Sequence, residues 1–149
     1  MRAGVDGLRD LLDDLEISRV YETAPRYVTE QPEFLNACCV GRTRMTVCQV
    51  LEGLKHIERL AGRRSGGVRY GPRPLDLDLL LFDEAVVEKP DLIVPHPRLH
   101  ERSFVLVPLA EIAPNWLVPA HAGQPATTVA SLARASDLVG ITRTDVDLS

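Results

Sequence analysis

Residues 75–82 read Leu-Asp-Leu-Asp-Leu-Leu-Leu-Phe, and no other stretch of the chain narrows the possible folds as much. In an extended strand, side chains leave the two faces alternately, so Leu77, Leu79 and Leu81 share one face while Asp76 and Asp78 share the other. A strand this apolar has to be covered by other elements. Covering it brings two neighbouring carboxylates toward the interior, where an uncompensated charge costs several kcal/mol. The chain must therefore supply apolar cover for the leucines and a cation for the acids.

The cover is legible on both sides of that segment. Val5, Leu8, Leu11, Leu12 and Leu15 recur at helical spacing, and Val47, Val50, Leu51, Leu54, Ile57 and Leu60 make a second stripe. Thr46 is placed to cap the second helix, which is expected to end at Ala61 before Gly62. Strand patterns fall at ISRVYE, at FLNACCVGRTR, at AVVE and at WLVPA. In the second of these, expected to be central or nearly so, Phe34, Asn36, Cys38 and Val40 oppose Leu35, Ala37 and Cys39. A Pro-bounded link at IVPHP, a helix from Phe104 to Ile112 and a last helix near Val129 to Leu132 complete the pattern. Residues 24–32 and the Arg/Gly segment before Leu75 read as loops, the latter mobile. Strands and helices alternate without the Gly-rich crossovers of a dinucleotide fold, which indicates an α+β sandwich of mainly antiparallel strands. A single domain over residues 1–149 is expected, with a frayed tail from about residue 141.

Composition removes several function classes. A chain of 149 residues, 45% hydrophobic and 26% charged, has no apolar run near the roughly 20 residues of a spanning helix. Its 17 Lys and Arg against 21 Asp and Glu give a net charge of −4, so no global positive field holds nucleic acid. Three cysteines, two of them the adjacent Cys38 and Cys39, suit neither a disulfide framework nor structural zinc. With no export signal at the start, a reducing cytoplasm is expected.

The residues suited to chemistry gather around the acid pair. Hard oxygen ligands two apart suit Mg²⁺, with room left for water and phosphate oxygens; the bland alternative is one solvated acid and one paired with arginine. Arg63, Arg64, Arg69 and Arg73 precede the pair and carry the planar donor forks that suit polyphosphate, although Arg64 and Arg69 read equally well as solvated loop charges. His96, held between prolines, and Arg102 could each face a phosphate, a packed or capping histidine being the simpler reading. His56, His100 and His121 lack zinc-ligand spacing. Phe34 and Asn36 set an aromatic plane beside an amide, which suits a flat heterocycle or, more plainly, a core Phe beside an edge Asn.

Taken in order from about Ser18 to Pro114, these segments resemble the 6-hydroxymethyl-7,8-dihydropterin pyrophosphokinase family. RYGPRPLDLDLLLF is similar to its Trp/Tyr-Gly-Pro-Arg-x-x-Asp-x-Asp segment, YETAP and EQPEFLNA to its pterin-side segments, IERLAGR to its pre-loop helix, and VPHPRLHERSFVLVPLAEIAP to its later block. The resemblance implies a ferredoxin-like sandwich and transfer of pyrophosphate from ATP to the hydroxymethyl group of the reduced pterin, releasing AMP. It places two Mg²⁺ ions on Asp76 and Asp78, gives Arg63 and Arg73 the phosphate-handling role, and puts His96, Arg102, Glu58 and Tyr70 on ATP. Thr23, Pro25, Phe34, Asn36 and Phe104 would hold the pterin. No nucleic-acid or membrane partner is implied, and a monomer or weak dimer is expected. The family opens on a strand ending in Gly-Ser-Asn-Leu-Gly, whereas this chain begins at the helix that follows it, so unpaired sheet-edge groups are expected. Lys55, Ser65, Asp91 and Pro97 also depart from residues frequent in the family. Two other readings remain: a non-enzymatic pterin-binding relative, and a sugar-nucleotide-dependent transferase using Asp76 and Asp78 as its metal site.

Overall fold

The computed structural model describes residues 1–23, 34–64 and 75–149, residues 63 and 64 by their backbone alone. Helix α1 (Arg2–Leu11) runs into strand β1 (Asp13–Ile17), and β2 (Tyr21–Thr23) follows after a short break. Strands β3 (Phe34–Asn36) and β4 (Cys39–Arg42) return antiparallel, β3 on β2 and β4 on β1. The break in this ribbon is bridged by a side chain: the Ser18 amide donates to the Cys38 carbonyl at 2.8 Å, and the Cys38 amide donates to Ser18 Oγ at 2.8 Å. Ladder satisfaction is thereby kept across a kink, and the FLNACCVGRTR pattern becomes two short strands.

Helix α2 (Val47–Arg64) starts on a capping box, with Thr46 Oγ1 accepting from the Gln49 amide at 3.2 Å and Gln49 Oε1 accepting from the Thr46 amide at 2.9 Å. It passes through Gly62 to Arg64, three residues beyond the expected stop, because glycine weakens a helix without ending it. Leu15, expected on the first helix, lies in β1, since α1 gives way to extended backbone at Leu12. A hairpin of β5 (Val87–Lys89) and β6 (Leu92–Val94) replaces part of the expected link. Helix α3 (Ser103–Ile112), strand β7 (Leu117–Val118) and helix α4 (Val129–Arg134) then fall where the pattern puts them, and an unexpected strand β8 (Thr127–Thr128) pairs with β7.

All named ladders are antiparallel, and helices and strands are mixed, as an α+β fold requires. Two faces of the β3–β4 segment feed two cores. Cys38 packs with Leu99, Leu106, Leu109, Val118 and Val129 on the α3 side. Cys39 packs on the α1–α2 side with Leu8, Val50, Leu54 and Ile57. The alternation read from the sequence is thus the one the cores use.

Two expectations are corrected. Residues 75–82 form no strand ladder among the described residues, because the Leu77 amide is taken by the Glu58 carboxylate and the Leu80 carbonyl by the His96 amide. Alternation also fails late in the segment: Leu75, Leu77 and Leu79 pack on the α1–α2 side, while Leu81 joins Leu80 on the α3 side. The tail is not frayed. Strand β9 (Ile141–Arg143) pairs with β2, Thr144 is bonded to the Val20 carbonyl, and Leu148 is buried beside Val5 and Val20. A short apolar anchor and one ladder suffice to tie down a chain end.

Candidate active site

Between the β3–β4 segment and residues 76–83 lies a cavity of about 1140 Å³. The α1–α2 core closes one side through Leu8, Leu12, Val50 and Leu54, and α3 contributes Phe104, Val105 and Leu109 to the other. One long wall is the paired β3–β4 segment, and the other belongs to no helix or ladder among the described residues. Among the described residues, the β3–β4 segment carries ladders on one of its edges only.

The polar groups on this cavity are those singled out in the sequence. Asp76 and Asp78 are both exposed and line it, with Leu77 between them turned to the α1–α2 core. Arg102, at the start of α3, reaches Asp78 with Nη1 3.5 Å from Oδ2, and its guanidinium carbon stands 5.7 Å from the Phe104 ring centroid. Salt bridge and aromatic ring together hold a half-buried guanidinium at the cavity wall. Opposite, Asn36 Nδ2 donates to Thr23 Oγ1 at 2.5 Å, and Thr23 Oγ1 donates to the Phe34 carbonyl at 3.3 Å. Asn36 spends one donor on Thr23, and its amide carries a carbonyl oxygen and a second hydrogen besides. Phe34, 56% exposed, stands on the rim.

His96 is placed beside this group without lining the cavity. Its Nδ1 accepts from the Arg98 amide at 3.1 Å, which leaves the ring proton on Nε2. Burial lowers its pKa, the Arg102 charge lowers it further, and Asp78 opposes them. The imidazole is therefore a neutral donor at pH 7. Glu58, expected on ATP, has Oε1 2.7 Å from the Leu77 amide. Arg73, Tyr70 and Pro25 lie outside the described residues, as does the Arg63 side chain.

Residues the sequence reading missed come from two places. Asp137, Val139 and Ile141 line the cavity because β9 pairs with β2, setting Ile141 opposite Thr23. Glu111 of α3 accepts from the Tyr21 hydroxyl and, through Oε2, from the Arg19 amide at 3.0 Å, tying α3 to the ribbon that carries Thr23. Neither pairing has a local sequence signal, since both join residues about a hundred positions apart. Among the described residues, no group of three or more His, Cys, Asp or Glu side chains could hold a metal ion, and no helix is long and apolar enough to cross a membrane.

A model of the 7,8-dihydro-6-hydroxymethylpterin-pyrophosphokinase family matches residues 1–114. The mitochondrial folate synthesis bifunctional protein of Arabidopsis thaliana is 53% identical over 95 residues, covering 64% of this chain and 17% of that protein. The 2-amino-4-hydroxy-6-hydroxymethyldihydropteridine pyrophosphokinase of Bacillus subtilis is 46% identical over 97 residues, 65% of this chain and 58% of that protein. Its namesake in Synechocystis is 43% identical over 89 residues, 60% and 45% respectively. The chain thus spans under a fifth of the plant protein and a little over half of the Bacillus one.

Proposed function

We propose that this chain, which belongs to the 7,8-dihydro-6-hydroxymethylpterin-pyrophosphokinase family, transfers pyrophosphate from ATP to 6-hydroxymethyl-7,8-dihydropterin and releases AMP, a step of folate biosynthesis. One observation carries the reading. The acid pair, the Arg102 guanidinium and the Thr23, Phe34, Asn36 and Phe104 side chains surround a single cavity, so a polyanion and a flat heterocycle can meet there.

In this reading Phe34 and Phe104 are the aromatic plates of the pterin site, and Asn36, steadied by Thr23, reads the polar edge of the ring. Arg102 neutralises phosphate charge from a position fixed in advance by Asp78 and Phe104. His96 offers a neutral N–H to a phosphate oxygen, with Arg98 holding its tautomer. Arg63, Arg73, Tyr70 and Pro25 take their roles from the sequence resemblance alone.

The donor set suits Mg²⁺. Two exposed carboxylates at alternate positions of one segment match an ion that completes its shell with water and substrate phosphates. Two such ions, held by Asp76 and Asp78, would supply charge neutralisation of the triphosphate when bound. The rest of the chemistry is positioning, so no general base is assigned. A ferredoxin-like sandwich accommodates the ribbon, α1 and α2 as observed. Three free thiols support a reducing, cytoplasmic setting.

The test is direct. The protein mixed with Mg²⁺, ATP and 6-hydroxymethyl-7,8-dihydropterin should form AMP and the pterin pyrophosphate in equal amounts. Pterin binding with no AMP would replace this reading by the non-enzymatic relative.

A further inference from the structure

We propose that Glu58 is a positioning residue that sets the separation of the Asp76 and Asp78 carboxylates by holding the peptide group between them. The kinetic part of this inference rests on the function proposed above; its structural part does not.

The argument begins with a backbone donor. Residues 75–82 form no ladder among the described residues, so the N–H groups of this extended segment have no strand beside them to define their direction. The Leu77 amide is directed by a side chain instead, bonded to Glu58 Oε1 at 2.7 Å across 19 residues of sequence. An ionised acceptor makes this a charge-assisted bond, shorter and roughly twice as strong as a neutral one. Leu77 lies between the two acids, and the orientation of its peptide plane governs how the flanking Cα–Cβ bonds diverge. A bond from a side chain on an 18-residue, capped helix therefore does for this peptide what a neighbouring strand would do in a sheet. Leu77 itself packs into the α1–α2 core, which locks the same residue from its other face. Backbone clamp and half-buried leucine leave the two aspartates lining the cavity.

Glu58 does not line that cavity, and its Oε1 is engaged by the Leu77 amide, which supports a positioning role over contact with nucleotide. The two roles give different kinetic and spectroscopic signatures. A ligand to ATP would, on removal, raise KM for ATP and leave the Leu77 amide as it was. A clamp would, on removal, free that amide and lower kcat through misplaced acids.

Amide hydrogen exchange by NMR on the full chain reads the clamp without substrate. In Glu58→Ala, exchange at Leu77 should rise at least about tenfold, while amides in the middle of α2 such as Leu54 stay within about twofold. Turnover should fall about tenfold, with KM for ATP little changed, since a misplacement near 1 Å costs on this order or more. Glu58→Gln keeps an oxygen acceptor and should recover most of the turnover, with Leu77 exchange raised only about threefold. Should Glu58→Ala fail to fold, the Gln variant decides, by exchange raised at Leu77 alone. Unchanged Leu77 exchange in either folded variant, or a defect confined to KM for ATP, overturns the clamp. If the wild-type protein forms no AMP, the proposed function falls, and the exchange measurement still settles the role of Glu58.

Discussion

The two cores are built from the same kinds of residue and end in different states. On the α3 side Leu99, Leu106, Val118 and Val129 reach 0% exposure and form a closed interior, while Cys38 and Leu109 of the same core keep 6% and 3% and line the cavity. On the α1–α2 side Leu8, Val50 and Leu54 keep 3–7% and form a wall of the large cavity. The closed core fixes α3 and with it Arg102 and Phe104. The open one ends against the acid segment. Fully closed residues and residues on the cavity thus differ in what they support, and substitutions should separate them.

The largest expected effect is on the open side. Asp78→Ala should lower pyrophosphoryl transfer by about a thousandfold, the scale of losing a principal charge-stabilising group. Its ion pair with Arg102 is 55% exposed on the acid, so thermal stability should change by under about 1 kcal/mol. Steady-state kinetics and a melting curve on one preparation check both halves, and a large fall in melting temperature would erase the division.

Next comes a pair of truncations. Leu106→Ala opens a void in a core with no slack and should cost about 4 kcal/mol, whereas Leu54→Ala enlarges a cavity that is already there and should cost about 2 kcal/mol. Denaturant midpoints compare them. Equal costs would mean that the cavity is closed in solution.

A third effect should appear at alkaline pH and be larger on the α3 side, since burial pushes the Cys39 thiol on the α1–α2 side up to only about 11. Burial pushes the Cys38 thiol up to about 12, with Cys39 and Glu111 adding to it, and burial pushes the Tyr21 hydroxyl up to about 12, with Glu111 again adding. Both groups hold their protons more tightly folded than unfolded. The stability they contribute is complete below pH 9 and is lost as the pH rises from about 9 toward 12. Melting temperature should therefore fall over that range, and Cys38→Ala should flatten the fall. A flat wild-type profile would deny the burial.

How much of this was readable in advance follows from the range of each interaction. The capping box at Thr46 and Gln49, the opposed faces of Cys38 and Cys39, and the adjacency of Asp76 and Asp78 are local, and periodicity or spacing exposes them. The fate of residues 75–82 was not local. Alternation promised a strand, but a strand needs a partner, and here a glutamate 19 residues upstream took the amide. The anchoring of β9 depends likewise on Tyr21 to Thr23, far off in sequence, and a polar tail such as TRTDVDLS gives no hint of it. Among candidate residues on separate segments, Phe34, Asn36 and Arg102 stand out by residue type and Phe104 only by family resemblance; the tertiary fold is what gathers them around one cavity.

The smallest effect tests whether the open side is loose or merely hollow. Helices α1 and α2 approach closely: a Cβ added at Gly7 would lie 2.9 Å from Ile57 Cγ1 and 3.0 Å from Cγ2. Ile57 is buried, and its branched side chain is stiff at χ1, so it cannot move aside cheaply. Gly7→Ala should cost about 1–2 kcal/mol through overpacking, more than the gain in helix propensity returns. A Cβ added at Gly62, also helical, would meet nothing within 4 Å, so Gly62→Ala should gain about 0.5 kcal/mol from propensity alone. Opposite signs at two helical glycines would show that the α1–α2 seam is packed as tightly as an ordinary interior and that the empty space lies only between that seam and the acid segment. A gain at both positions would instead mean that the whole side yields, and Leu54→Ala should then prove nearly silent in the denaturant series.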